Sequence, residues 1–126
     1  MQILTEEMKF SAKVTEEKRG VTIDISTTKG TVKVFITPGM EGIISCLEVK
    51  EECRRLGFGR MLLNKAEAVC RKRGCNYLSM LVRRDRWIYD WMIRRGYGKA
   101  SASWLFEHED WLSKPVLDKK YNYSIS

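Results

Sequence analysis

Two glycines and three arginines fall within seven residues, Arg54-Arg55-Leu56-Gly57-Phe58-Gly59-Arg60, and these residue types at this spacing suit a phosphorylated ligand. Gly57 and Gly59 lack a Cβ, so the backbone can take unusual dihedrals and come close to a bound group. The helix that opens here leaves its first amide N–H groups without intrahelical acceptors, and its dipole puts partial positive charge at that end. Phosphate oxygens satisfy both. Arg54, Arg55 and Arg60 add fixed cations that can grip phosphate through paired hydrogen bonds. The spacing is neither the G-x-x-x-x-G-K-[ST] of a P-loop nor the G-x-G-x-x-G of a dinucleotide site.

Other reactive side chains are sparse. Cys46, Cys53, Cys70 and Cys75 form no C-x-x-C pair and His108 is the single histidine. That argues against zinc ligation and leaves no Ser-His-Asp set beyond one imidazole. The cysteines read as buried thiols of a reducing compartment. Glu41 and Glu48 are carboxylates in the segment that precedes the glycine turn, and Tyr89 lies on a later helix. Each is a candidate for proton transfer.

The elements that must position these groups follow from periodicity. Alternating strand-type residues run over Lys9 to Thr15, Val21 to Ser26, Thr31 to Thr37 and Gly42 to Val49. Turn chemistry separates them, at Glu16-Glu17-Lys18-Arg19-Gly20, Thr27-Thr28-Lys29-Gly30 and Pro38-Gly39, which predicts an antiparallel meander. Strict alternation puts Ile43, Ser45, Leu47 and Val49 on one face of the last strand and Cys46 and Glu48 on the other, unless a bulge intervenes. Met61, Leu62, Ala66, Val69 and Cys70 recur at helical spacing from Gly59 to about Arg73, and Gly74 closes that helix. Asn76 to Arg83 reads as a buried strand, and strand, crossover helix and strand favour parallel neighbours. Arg86 to Arg95 is a second helix with Trp87, Ile88, Trp91 and Met92 on a core stripe. Lys99 to Glu107 resumes alternation as a last main strand, and Asp110 to Ser126 is either a closing strand or a docking tail.

The run Arg54-Arg55-Leu56-Gly57-Phe58-Gly59, directly after a strand ending Leu47-Glu48-Val49, resembles motif A, [QR]-x-x-G-x-[GA], of the GNAT acetyltransferase superfamily, and most of all its protein N-terminal acetyltransferases. Downstream, Asp85, Ile88, Trp91, Met92, Gly96 and Tyr97 fit the family frame N-x-x-A-x-x-[FL]-Y-x-x-x-G-[FY], and the matching elements run from about residue 20 to about residue 107. The resemblance implies an α+β, GNAT-like fold: a twisted, mostly antiparallel sheet of about six to seven strands with flanking helices. It implies acetyl-CoA as cosubstrate, held by Leu47, Val49, Arg54, Arg55, Leu56, Gly57, Phe58, Gly59, Arg60, Met61, Asp85 and Met92, with no metal. It implies direct acetyl transfer to a primary amine: a protein N-terminus, a lysine or a small amine. A backbone N–H at the strand end, Val49, would polarise the thioester carbonyl.

This sequence departs from the family in three places. The frame's tyrosine, the usual proton donor, is Met92 here, which leaves Tyr89 as its replacement. The base positions of some N-terminal acetyltransferases correspond to Ile43 and Leu81, both inert, which leaves Glu48. The helices usual between the first two strands are reduced, so the acceptor site is unusually open or a homodimeric or other partner chain completes it. These departures keep a second reading open, a non-catalytic acyl-CoA-binding or regulatory protein.

The 126 residues are one domain's worth of chain, 1–126, with 44% hydrophobic and 31% charged residues. No apolar run reaches the ~20 residues that cross a bilayer, and the start is unlike a secretory signal, so a cytoplasmic protein without membrane association is expected. The net charge of +7 is uneven. Between residues 53 and 99, thirteen basic side chains face only Glu67, Asp85 and Asp90. That excess suits CoA and keeps a nucleic-acid-binding module as a third reading. It disfavours polyamine or lysine-rich acceptors unless Glu6, Glu7, Glu16, Glu17, Glu107, Glu109 and Asp110 gather into an acidic rim. An exposed final strand would be the place for two subunits to pair.

Overall fold

The computed structural model describes residues 9–100 and 108–117. Strands β1 (Ser11–Glu17), β2 (Gly20–Thr27), β3 (Gly30–Ile36) and β4 (Glu41–Val49) form the expected antiparallel meander. A short 3₁₀ turn, Glu51–Cys53, leads into helix α1 (Phe58–Lys72). Then come β5 (Tyr77–Arg83), helix α2 (Trp87–Arg94), β6 (Gly98–Lys99) and β7 (Glu109–Pro115). The strand order is β1-β2-β3-β4-β5-β7-β6, antiparallel except for the β4/β5 pair. This is the α+β, GNAT-like sheet that the sequence implies.

Both helices lie on one face. A Cβ built on Gly42 of β4 would come within 2.9 Å of Cys70 Sγ on α1 and 3.1 Å of Leu78 on β5. Tyr89 of α2 reaches Asp110 on β7, the register partner of Val82 on β5. Burial follows that geometry. Ile23, Ile25, Val32, Val34 and Ile44 from the sheet meet Leu62, Leu63, Ala66 and Cys70 from α1 in one core. Beneath α2, Tyr97 donates to the buried Glu67 at 2.8 Å, and Lys114 reaches the same carboxylate at 3.3 Å.

Two features depart from strict alternation. The β3/β4 register slips between Lys33/Cys46 and Val34/Ile44, so Ser45 is an extra, exposed residue. This bulge turns Leu47 and Val49 to the helix side with Ile44, and groups Cys46 and Glu48 with Ile43 on the other face, correcting the simple period-two expectation for Ile43 and Ser45. Secondly, β7 lies inside the sheet, between β5 and β6, so residues from Asp110 onward begin as an interior strand rather than a tail. Of the strand expected over Lys99 to Glu107, Lys99 lies in β6 and Ala100 follows it without strand structure, while 101–107 lie outside the described residues, as do 118–126. Among the described residues the sheet ends at β1 on one side and β6 on the other.

Candidate active site at the fork of two strands

β4 and β5 pair only over Glu41/Tyr77, Gly42/Leu78 and Ile43/Ser79, although both strands continue, to Val49 and Arg83. Beyond Ile43 they diverge, and the bulge at Ser45 stands where the divergence begins. The backbone facing that fork is unpaired with β5. The amide of Lys50 donates to the carbonyl of Lys29 at 2.9 Å, which fixes Lys29/Lys50, Thr31/Glu48 and Lys33/Cys46 as the hydrogen-bonded pairs with β3. The alternate residues, Leu47 and Val49, therefore aim their N–H and C=O groups away from β3, into the fork. The Val49 carbonyl accepts from Arg54 Nε at 3.1 Å, which folds the Arg54 side chain back against the strand end.

The glycine turn sits at the same end of the sheet. Arg55 (φ 67°) and Gly57 (φ 91°) both adopt left-handed backbone, and Gly57 is the N-cap of α1 without any side-chain cap. A Cβ at Gly57 would meet nothing within 4 Å, so the protein leaves the space in front of this turn open. The first turn of α1 carries no acidic residue and does carry Arg60, the reverse of what the helix dipole favours. An anion at this end removes the conflict, and amides without helical acceptors are there to hold it. The residues present therefore fit the diphosphate of an acyl-CoA. Gly59 joins the parts: a Cβ there would lie 3.6 Å from both Val49 of β4 and Trp91 of α2.

The other candidates are distributed unevenly. Phe58 is buried under the turn, Met61 is half-buried, and Leu56 is exposed. Met92 is fully buried in the core, so it packs α2 against the sheet. Asp85 is exposed and held by Arg83 through hydrogen bonds of 3.2 and 3.0 Å, which keep its carboxyl below the usual range. Tyr89 donates its hydroxyl to Asp110 Oδ2 at 2.7 Å, and that bond to a carboxylate raises the phenol's pKa. Asp110 is buried, and the bond from Tyr89, with Arg84 at 3.3 Å and Lys99 at 3.9 Å, holds its carboxyl below the usual range. Nothing in the sequence marks Asp110, since inward-facing positions of β7 alternate Asp110, Leu112 and Lys114 without a polarity signal.

On the face that neither α1 nor α2 covers, Glu48 lines a cleft of about 440 Å³ with Ser26, Thr31, Lys50, Glu51 and Arg54. Cys46 Sγ lies 3.5 Å from Glu48 Oε1. Phe35, Ile43, Leu81 and Trp111 are half-buried on this face, which neither helix covers. Trp87 corrects the expectation of a core aromatic: it is 67% exposed. The acidic residues do not gather into a rim among the described residues, because Glu16 and Glu17 are on strand β1 while Glu109 and Asp110 are on β7, with four strands between them.

Comparison with known proteins places this geometry. The model of the acetyltransferase (GNAT) family matches residues 23–87, half of the chain. The fold is similar to the ribosomal-protein-S18-alanine N-acetyltransferase of Escherichia coli, at 17% identity over 82% of this chain and 73% of that one, TM-score 0.62. It is similar to Ard1 of Thermoplasma volcanium, at 17% identity over 77% and 71%, TM-score 0.65. It is also similar to a Bacillus subtilis acetyltransferase in complex with CoA, at 16% identity over 86% and 100%, TM-score 0.65. No curated protein gave a significant sequence match.

Proposed function

The chain belongs to the acetyltransferase (GNAT) family and is an enzyme of it, and from that premise we propose that it moves an acetyl group from acetyl-CoA directly to a primary amine presented by a protein or peptide. The observation that carries the reading is the fork between β4 and β5 with the uncapped, arginine-flanked start of α1 at its mouth. When bound, acetyl-CoA supplies an acyl group activated as a thioester. Leu47 and Val49 pair with its pantetheine arm as a missing strand would. The amides from Gly57 to Arg60, with the Arg54, Arg55 and Arg60 side chains, hold the diphosphate, while the Met61 amide is already bonded to the Gly57 carbonyl. The Val49 N–H polarises the thioester carbonyl, stabilising the charge that develops there as the amine attacks.

The acceptor enters from the face opposite α1 and α2, where Glu48 stands beside the fork. Glu48, through water, takes the proton that the ammonium must lose before its nitrogen can attack. The C–S bond breaks as the amide forms, and the proton that the nitrogen sheds in this step passes through water to the departing thiolate, because the Tyr89 proton is committed to Asp110. A macromolecular acceptor is supported by the sheet face itself: small ligands are held in enclosed pockets that bury most of their surface, whereas this cleft is open beside half-buried Phe35, Ile43, Leu81 and Trp111. Four free thiols support a cytosolic, reducing location.

Calorimetric titration with acetyl-CoA tests the reading beside the double variant Gly57→Glu/Gly59→Glu. Binding to the native chain, lost in the folded variant, is expected. Absence of binding to the native chain refutes the proposal.

A further inference from the structure

From the aromatic pair on α2 we infer that Trp87 is the stacking platform for the nucleobase of the bound cosubstrate. This rests on the acyl-CoA reading and adds the residue that recognises the adenosine end.

Among the described residues Trp87 is the most exposed large hydrophobic side chain, at 67%, on a helix whose other aromatic residues pack against the core. Its position is held from one side. Trp87 and Trp91 stand edge to face, with ring centroids 6.2 Å apart and planes at 73°. Trp91 is in turn fixed from both ends. Its ring passes 3.6 Å from the Cβ position of Gly59, and the Arg95 guanidinium lies 4.7 Å over its face. The first turn of α1 and the aromatic pair of α2 thus form adjoining parts of one rim.

Both helices start at the carboxyl ends of β4 and β5, the strands that diverge. Ligands of parallel strand pairs bind at such ends. A diphosphate on the Gly57–Arg60 amides has Trp91 beside it and Trp87 one helical turn further toward the start of α2. In a nucleotide the base follows the diphosphate after one ribose, and Trp87 offers an indole surface at that remove. Arg86, exposed next to it, adds charge suited to a ribose phosphate. A base stacked on an exposed indole removes apolar area of both rings from water, and such stacking is tolerant of which base is offered.

The test titrates the native chain, Trp87→Ala and Trp87→Phe with acetyl-CoA and, separately, with S-acetyl-phosphopantetheine, which keeps the arm and lacks the adenosine. Trp87→Ala is expected to weaken acetyl-CoA binding by about tenfold, within the span of measured base–aromatic stacking. Trp87→Phe is expected to retain most of the affinity, and affinity for S-acetyl-phosphopantetheine should not change. Unchanged acetyl-CoA affinity in Trp87→Ala overturns the inference while leaving the cosubstrate reading intact. Equal losses for both ligands also overturn it, by placing Trp87 against the arm or in the fold. No acetyl-CoA binding by the native chain refutes the cosubstrate reading and this inference together.

Discussion

Gly30→Ala perturbs the strand end on which the proposed carbonyl-polarising amide is carried. Gly30 is the register partner of Val49, and its backbone is not left-handed, so alanine meets no dihedral penalty there. Sterics decide the outcome. The new Cβ would lie 2.4 Å from the Glu48 carbonyl oxygen, and 3.1 Å from Val49 Cα and from Leu62 Cδ1. Cβ atoms essentially never come under 3.0 Å of a neighbour, so the β4 backbone must retreat by about 0.6 Å. The obstacle is main chain, which cannot rotate away as a side chain tip can. Overpacking of this kind costs about 1–3 kcal/mol. For a domain of this size that lowers Tm by roughly 4–12 °C. The retreat carries the Val49 amide with it, and because a misplacement of about 1 Å can cost ~10²-fold, turnover should fall between about tenfold and a hundredfold. Thermal unfolding and acetyl-CoA turnover are measured together, with Gly98→Ala as control, since a Cβ at Gly98 meets nothing within 4 Å. A Gly30→Ala protein with native Tm and native turnover refutes the placement of β4 against β3, and with it the position assigned to Val49.

Tyr97→Phe removes the hydrogen bond to the buried Glu67, and at neutral pH stability should drop by about 1.5–3 kcal/mol, as for bonds to charged groups. Burial first, then the neighbouring Glu67, raises the Tyr97 pKa, so the native state keeps a proton that the unfolded chain releases above about pH 10. That contribution is fully present below the unfolded pKa and is lost as pH rises. Native stability should therefore decline above about pH 10, and the decline should be shallower in Tyr97→Phe; parallel curves in alkaline denaturation would remove Tyr97 as the cause. Partial burial and then the bond to Glu48 raise the Cys46 pKa, so Glu48→Gln should speed its alkylation at pH 8 by increasing the thiolate fraction. Cys70, pushed up to about 12 mainly by burial, should label only on unfolding, and site-resolved mass spectrometry with equal rates at Cys46 and Cys70 would contradict both assignments.

Much of this protein is written locally. The period-two runs of β1 to β4, the apolar run of β5, the helical spacing after Gly59 and the glycines that stop each helix are short-range signals, and the elements lie within about two residues of where those signals place them. The uncapped, cationic start of α1 is equally local, because Gly57, Gly59 and Arg60 act through their own backbone and charge.

Tertiary structure decided what depends on partners distant in sequence. Slipping the register at Ser45 requires β3, since a bulge exists only relative to the strand it opposes. The fork requires β5 to pair along its full length with β7 while touching β4 at three residues, a competition between strands that neither sequence segment records. Tyr89 was a proton donor by position alone until β7 brought Asp110 beneath it. Periodicity puts Trp87 on the core stripe, yet in the first turn of α2 it is Ile88 and Tyr89 that pack against the core, so the same spacing that buries Met92 leaves Trp87 in solvent. Residue type and spacing set the chemistry available at the turn, and the divergence of two strands set where that chemistry can act.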